Sequence, residues 1–132
     1  MAYDELESTD TLSETVPTKI NDNFLQRAEL NGAAMTADFT VWADDSTGSP
    51  KDIYLCASAG GNVTATLPDA TTGDAARGRV VTIFKVDAAN DVIIDGDGSQ
   101  TINGATTVTM GSIYNYRTII SDGVEWFVIS SS

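Results

Sequence analysis

Residue types that carry out acid–base or nucleophilic chemistry are scarce in this sequence. The chain has no histidine, so it lacks the most common general base and transition-metal ligand. Its single cysteine, Cys56, cannot form a zinc site alone, and its neighbours Tyr54 and Leu55 are typical of a buried strand. Neither of the glycine-rich phosphate-binding motifs G-x-x-x-x-G-K-[ST] and G-x-G-x-x-G occurs. We therefore expect no cofactor, no metal and no nucleophilic enzyme.

Carboxylates are the remaining candidates for chemistry. Asp95 and Asp97 lie in the run DGDGSQ, but Ser99, Gln100 and Thr106 occupy the next positions of an EF-hand pattern, so that motif fails. We expect an ordinary Gly-Asp turn there, with a calcium site of another type as the alternative. A glycosidase needs two carboxylates in a sizeable cleft, and the candidates for such a pair are Asp44, Asp45, Asp95, Asp97 and Glu125. Any acidic protein offers such pairs, and we expect that the chain is not an enzyme.

Aromatic side chains are few, and two functions are open for them. One is a platform on which sugars stack, and it would consist of Trp42, Tyr54, Tyr114, Tyr116 and Trp126. The other is packing in the core or in a subunit interface, where aromatic residues contribute most of the buried area. We favour packing, and a host surface glycan is the alternative partner.

The charge is strongly one-sided. Nineteen acidic residues against seven basic ones give a net charge of −12. Such a surface repels phosphate backbones and anionic membranes, so we expect neither as a partner. Acidity also keeps copies of a protein apart in solution, and this accounts for the charge without any partner. The acidic N-terminus does not resemble a secretion signal, and no apolar run has membrane-spanning length, which indicates synthesis in a cytoplasm.

The pattern divides the chain into residues 1–35 and residues 36–132. Residues 1–14 are a polar, acidic arm. From Val16 to Leu30 the spacing predicts a helix, with one narrow apolar stripe formed by Val16, Ile20, Phe24 and Ala28. We expect this first part to serve attachment or oligomerisation.

The second part predicts an antiparallel β-sandwich of short strands. The runs are 39–42, 53–57, 63–67, 79–86, 91–95, 101–102, 107–110, 113–121 and 124–130. Asp122-Gly123 favours a two-residue type I′ turn in the last hairpin. Val80, Phe84 and Phe127 give two strands a second apolar face, which a neighbouring subunit or the helix would cover. We favour an oligomer over a monomer.

Two groups of segments resemble proteins of bacteriophage particles. Lys19–Phe24 (KINDNF) resembles an N-terminal helix of many phage virion proteins. The β part resembles a small sandwich module of phage tail fibres, tailspikes and capsid-surface proteins, and the matching segments are Val63–Ala70, Gly78–Ala88, Gln100–Ala105 and Ser121–Ile129. The resemblance covers about three quarters of the chain, and its LP-D, QTI-G and SDG-x-x-W elements occur in order.

This resemblance implies a homotrimeric virion protein without catalytic residues. Because no long shaft or enzymatic insertion is present, we expect a capsid decoration (cement) protein that binds the major capsid protein and stabilises the head shell. A short tail-fibre or tailspike tip that binds a host receptor or glycan is the alternative. The residues expected to contact the capsid or the other trimer subunits are Val16, Ile20, Phe24, Phe84, Tyr114, Tyr116 and Trp126.

Overall fold

The computed structural model describes residues 33–43 and 51–132, which form β-strands and one short helix. In chain order these elements are β1 (Phe39–Thr40), β2 (Ile53–Cys56), β3 (Val63–Thr66), α1 (Gly73–Ala76), β4 (Val81–Lys85), β5 (Val92–Asp95), β6 (Thr107–Met110), β7 (Tyr116–Ser121) and β8 (Trp126–Ser131). The arm 1–14, the helix predicted over Val16–Leu30 and the carboxylate candidates Asp44 and Asp45 lie outside the described residues.

The strands form two four-stranded sheets in a sandwich-like arrangement. Sheet A has the order β2-β4-β7-β8, and sheet B has the order β1-β3-β5-β6. From β1 to β5 the chain changes sheet at every connection, and each return to a sheet runs in the original direction. The pairs β1–β3, β3–β5 and β2–β4 are therefore parallel, whereas β5–β6, β4–β7 and β7–β8 are antiparallel. The prediction of a purely antiparallel sandwich is wrong, and both sheets are mixed.

Alternating side chains place the core between the two sheets. In β3 and just beyond it, Val63, Ala65 and Leu67 are fully buried, while the intervening threonines are partly exposed. The sheets meet through aromatic contacts, with ring centroids 4.9 Å apart for Phe39 and Tyr54. Val81 and Ile83 in β4 are fully buried in the same way.

Two local predictions need correction, the turn of the last hairpin and the strand at 101–102. The last hairpin is closed by four residues, Asp122–Glu125, and only Gly123 among them has a positive φ, so it is not a type I′ turn of two residues. The Asp122 carboxylate accepts hydrogen bonds from the amides of Val124 and Glu125 and thereby shapes this loop. The segment 101–102 contributes only isolated bridges at Ile102.

The start of β7 and the helix α1 also differ from the sequence-based expectation. β7 begins at Tyr116 rather than residue 113, because the Asn115 amide donates to the Ser112 carbonyl oxygen and the chain turns there. The four-residue helix α1 was not predicted, since four residues are too few to show a helical apolar period. Met35 already pairs with Cys56, so β structure includes the residue that precedes the predicted boundary.

Gly96 occupies a position where even a methyl group does not fit. A Cβ atom there would lie 2.2 Å from the backbone oxygen of Gln100. We expect Gly96→Ala to lower the free energy of unfolding by about 2–3 kcal/mol, because the backbone around Gln100 must shift. A matched control is Gly60→Ala, which meets nothing within 4 Å and should change stability by less than about 0.5 kcal/mol. Urea denaturation measures both, and equal midpoints for the two variants would contradict the steric argument.

Candidate interaction surface

The Asp95–Asp97 segment forms a turn, as the sequence predicts. Asp95 lies on the outer face of β5 opposite Thr107, and the Asp97 carbonyl oxygen accepts a 2.9 Å hydrogen bond from the Gln100 amide. Within residues 33–43 and 51–132, no group of three or more histidine, cysteine, aspartate or glutamate side chains is arranged to hold a metal ion. Residues 95–100 thus form a loop that reverses the direction of the chain.

Glu125, another candidate for carboxylate chemistry, ties the last hairpin to the preceding loop. Its Oε1 atom accepts hydrogen bonds from both the backbone amide and the hydroxyl of Thr101. The chain segments on either side are also joined, since the Trp126 amide donates to the Thr101 carbonyl oxygen. These contacts give Glu125 a role in positioning the loop beside β8.

The five aromatic residues considered as a sugar platform are divided between two places. Trp42, Tyr54 and Trp126 are buried in the core, where Trp42 and Trp126 have ring centroids 6.2 Å apart. Tyr114 and Tyr116 lie on the outside of sheet A, where both rings approach Phe84. A single platform made of all five residues is therefore wrong.

The predicted contact residues are also separated by the fold. Val16, Ile20 and Phe24 lie outside the described residues. Trp126 is completely buried between the sheets, so its side chain is a core residue and not a surface contact. The remaining three, Phe84, Tyr114 and Tyr116, form one cluster, in which the Phe84 and Tyr116 rings are stacked with centroids 6.4 Å apart.

This cluster belongs to a larger apolar surface, which we call the outer face of sheet A. It comprises the strand residues on the side of sheet A that faces away from the core, together with the adjacent Tyr114 and with Ile129, which lies where the register of β7 and β8 shifts: Ile53, Leu55, Thr82, Phe84, Tyr114, Tyr116, Thr118, Ile120, Phe127, Ile129 and Ser130. Three of them are strongly exposed, with exposed fractions of 41% for Phe127, 57% for Ile129 and 63% for Tyr114. None of the eleven is charged, although the chain carries a net charge of −12.

Four hydroxyl groups on this face have hydrogen-bond partners within the sheet. The hydroxyls of Thr82 and Thr118 lie 2.9 Å apart on neighbouring strands. The Tyr116 hydroxyl lies 3.3 Å from the hydroxyl of Ser130. Each of these four hydroxyls therefore has at least one partner on its own sheet.

The outer face of sheet B has a different composition. Its outward positions in β1, β3, β5 and β6 are Thr40, Thr64, Thr66, Ile93, Asp95, Thr107 and Thr109. Threonine suits a strand that faces water, since it combines β-branching with a hydroxyl group. The outer face of sheet B is thus mostly threonine, whereas the outer face of sheet A is mostly aromatic and aliphatic. The amino-acid composition of the whole chain does not show this difference.

Two clusters of charged groups were not found from the sequence. Lys85 is fully buried, and its ammonium group donates to the Ser58 hydroxyl, the carbonyl oxygens of Asp87 and Ala89, and the Asp87 carboxylate. Strand alternation does place Lys85 on the same face as Val81 and Ile83, and this signal would have indicated its burial.

The second cluster surrounds Arg79. Its guanidinium group lies 4.7 Å from the centre of the Trp42 ring and pairs with Asp52 and Asp74 at 2.9 Å each. These contacts fix Trp42, whose φ of 64° is unusual for a large side chain. The arrangement joins Trp42 and Asp52 to Asp74 of α1.

The titratable groups with shifted pKa values have structural partners. Burial raises the pKa of the Cys56 thiol to about 12, which keeps it protonated and unreactive at neutral pH. Hydrogen bonds from the backbone and hydroxyl of Thr71, and then from Gln100, lower the pKa of Asp69. Backbone amides of Glu125 and Val124 likewise lower the pKa of Asp122. These carboxylates act as hydrogen-bond acceptors that shape loops.

No protein-family model matches the chain, and no curated protein matches it. None of the helices in the described part of the chain has the length and apolarity needed to cross a membrane.

Proposed function

We propose that this chain is a structural protein of a bacteriophage particle, a homotrimeric capsid decoration protein that binds the major capsid protein and stabilises the head shell. The observation that carries this proposal is the outer face of sheet A, a charge-free apolar surface on a chain with a net charge of −12. A soluble protein rarely leaves such a surface open to water, and a protein that works in an assembly has a use for it.

The phage assignment itself rests on the sequence resemblance. The segment Val63–Ala70 contains β3, Gly78–Ala88 contains β4, and Ser121–Ile129 contains the loop between β7 and β8. Gln100–Ala105 contains Ile102, which bridges to Trp126. The resembling segments therefore include strands of both sheets and the loop beside β8, and they support the assignment of the β part to one recurrent module.

The acidic arm has a proposed role of its own in decoration. At about 3.3 Å per extended residue, fourteen residues span on the order of 45 Å, enough to cross a seam between capsid subunits. Its carboxylates would meet basic or amide-rich capsid surface, and they belong to Asp4, Glu5, Glu7, Asp10 and Glu14. Val16, Ile20 and Phe24 would follow as an apolar anchor.

Binding to particles tests this function. Purified full-length chain is added to phage heads that lack it, and the bound copies are counted by quantitative gel analysis and located by particle reconstruction. We expect hundreds of copies per head at symmetric positions. Deleting residues 1–14 should weaken binding and reduce its dependence on salt, because exposed charge pairs are screened by ions. A matched control keeps the arm but replaces its five carboxylates by amides, and it should lose the salt dependence as well.

The tail-fibre-tip alternative has one observation in its favour, the exposed ring of Tyr114 beside Phe84, which resembles a place where a sugar could stack. It predicts a few to a few tens of copies per particle and binding to host cells. Heads that take up none of the chain, together with cells that do, would replace the decoration function by this one.

A further inference from the structure

We infer that Asn103 caps the edge of β8, and that its side chain prevents copies of this chain from pairing strand to strand at that edge. The inference goes beyond the proposed function, because it concerns an association that the fold blocks. It rests on the hydrogen bonds of the backbone groups along β8 and on the residue types of that strand.

β8 is the last strand of sheet A, so one of its edges faces away from β7. Backbone groups at the edge of a sheet are a template for a strand of another chain. The residues of β8 make this template a strong one, because Trp126–Ser131 begins with four aromatic or β-branched residues and contains neither a charge nor a proline. A strand with these properties needs protection at its edge.

The segment that precedes β6 occupies the first part of this edge. The Trp126 amide donates to the Thr101 carbonyl oxygen at 2.9 Å, and the Asn103 amide donates to the Trp126 carbonyl oxygen at 3.0 Å. These two hydrogen bonds form a parallel bridge between Ile102 and Trp126. The side chain of Ile102 is fully buried, and its burial anchors the segment against β8.

The side chain of Asn103 supplies the next hydrogen bond along the edge. If the parallel ladder continued, the Val128 amide would donate to the main-chain carbonyl oxygen of Asn103. It donates instead to the side-chain Oδ1 atom of Asn103, at 3.1 Å. The backbone turns away at this point, because Asn103 and Gly104 have φ values of 53° and 88° and Ile102 pairs with Ala105 across the turn. Asn103 therefore replaces a main-chain acceptor where the chain leaves the edge.

Beyond Val128 the edge of β8 is irregular. The register shifts between Thr118 and Ile119 of β7, so that Ile129 is an extra residue in β8. Such a bulge bends the strand and interrupts the ladder that an added strand would follow. The cap and the bulge thus protect consecutive parts of the edge, and the Val128 amide is the group that would become open without the cap.

Hydrogen exchange of the full chain tests the cap. Asn103→Gly removes Oδ1, and glycine adopts a positive φ without strain, so at low protein concentration the Val128 amide should exchange at least about tenfold faster than in the wild type. Asn103→Asp keeps an acceptor oxygen and tolerates the same φ, so the Val128 amide should keep its wild-type rate.

Asn90→Gly is the matched control for the loss of an asparagine side chain. Asn90 also has a positive φ, 54°, but its amide group donates to the carbonyl oxygens of Ser58 and Ala59, which are not part of β8. The substitution should leave the exchange rate of the Val128 amide within about twofold of the wild-type rate.

Association provides the second measurement. At high protein concentration, sedimentation velocity should show assemblies of Asn103→Gly that are larger than those of the wild type, whereas Asn103→Asp and Asn90→Gly should match the wild type. Because the Val128 amide would pair with another copy in these assemblies, its exchange in Asn103→Gly should become slower as the protein concentration rises.

Three results would overturn the inference. The first is a wild-type exchange rate of the Val128 amide in Asn103→Gly, and the second is a wild-type mass of this variant at every concentration. The third is a larger assembly in which the Val128 amide still exchanges fast, because the contact would then lie at another surface. None of these measurements involves phage heads, so a failure here leaves the decoration proposal standing.

Discussion

Replacing Trp126 by alanine should lower the free energy of unfolding by about 3–5 kcal/mol, a large part of the 5–15 kcal/mol typical of a domain. Its side chain is completely buried, and its ring lies against that of Trp42. The indole nitrogen also donates to the Pro68 carbonyl oxygen at 3.3 Å. The substitution leaves a cavity at the contact between the sheets and one carbonyl group without its donor.

The adjacent residue supplies the control for this prediction. Phe127 is of the same class but points outward, with 41% of its side chain exposed. Phe127→Ala should lower the stability of the dissociated chain by less than about 1 kcal/mol, while weakening association. The two variants are compared by urea denaturation, at protein concentrations below the dissociation constant of the oligomer. Equal losses for Trp126→Ala and Phe127→Ala would mean that the assignment of inward and outward faces in β8 is wrong.

Replacing Lys85 by methionine should cost about 3 kcal/mol or more, although methionine is similar in size and more apolar. The ammonium group of Lys85 is fully buried and joins the loop after β2, through Ser58, to the loop after β4, through Asp87 and Ala89. The variant leaves several acceptors in a buried position without a donor. Arg77→Met is the control, because it removes the same charge. The Arg77 side chain is 81% exposed, so this substitution should leave the free energy of unfolding nearly unchanged.

The acid dependence of the Lys85 variant provides a second measurement. Desolvation would raise the pKa of Asp87, but hydrogen bonds from Lys85 and Ser58 outweigh it and lower the pKa. A carboxyl group with a lowered pKa contributes stability that is present above its unfolded pKa and is lost as the pH falls through the folded value. In Lys85→Met, the pKa of Asp87 should rise, so this contribution should begin to disappear at a higher pH. Carboxyl titration by NMR would detect the rise.

A double substitution checks the cause. Adding Asp87→Asn to Lys85→Met removes the carboxylate that was left without its cation, and it should recover part of the lost stability. If the free energy of unfolding of the double variant is no higher than that of Lys85→Met alone, the pairing of Lys85 with Asp87 is not the source of the effect.

Most strands, and the residues that share a face within each of them, could be predicted from the sequence; the exceptions are the segment 101–102 and the start of β7. Side chains alternate along any strand, so Val63, Ala65 and Leu67 could be assigned to one buried face without knowledge of the neighbouring strands. The absence of histidine and the failure of the EF-hand pattern followed directly from residue identity. These properties are local, and local properties can be read from the order of residues.

Strand direction and sheet membership could not be predicted from the sequence, because they depend on which strands pair in the folded chain. Parallel and antiparallel strands show the same alternation, and Gly60-Gly61-Asn62, which has the composition of a hairpin turn, joins β2 in sheet A to β3 in sheet B. Strand alternation places Lys85 on the buried side of β4, but its acceptors, such as Ser58, 27 residues away in the chain, are known only from the folded structure. Trp126 and Phe127 form a pair of opposite faces in the sequence, but only packing against sheet B showed which one is inside. Such contacts join distant segments, and no pattern within one segment encodes them.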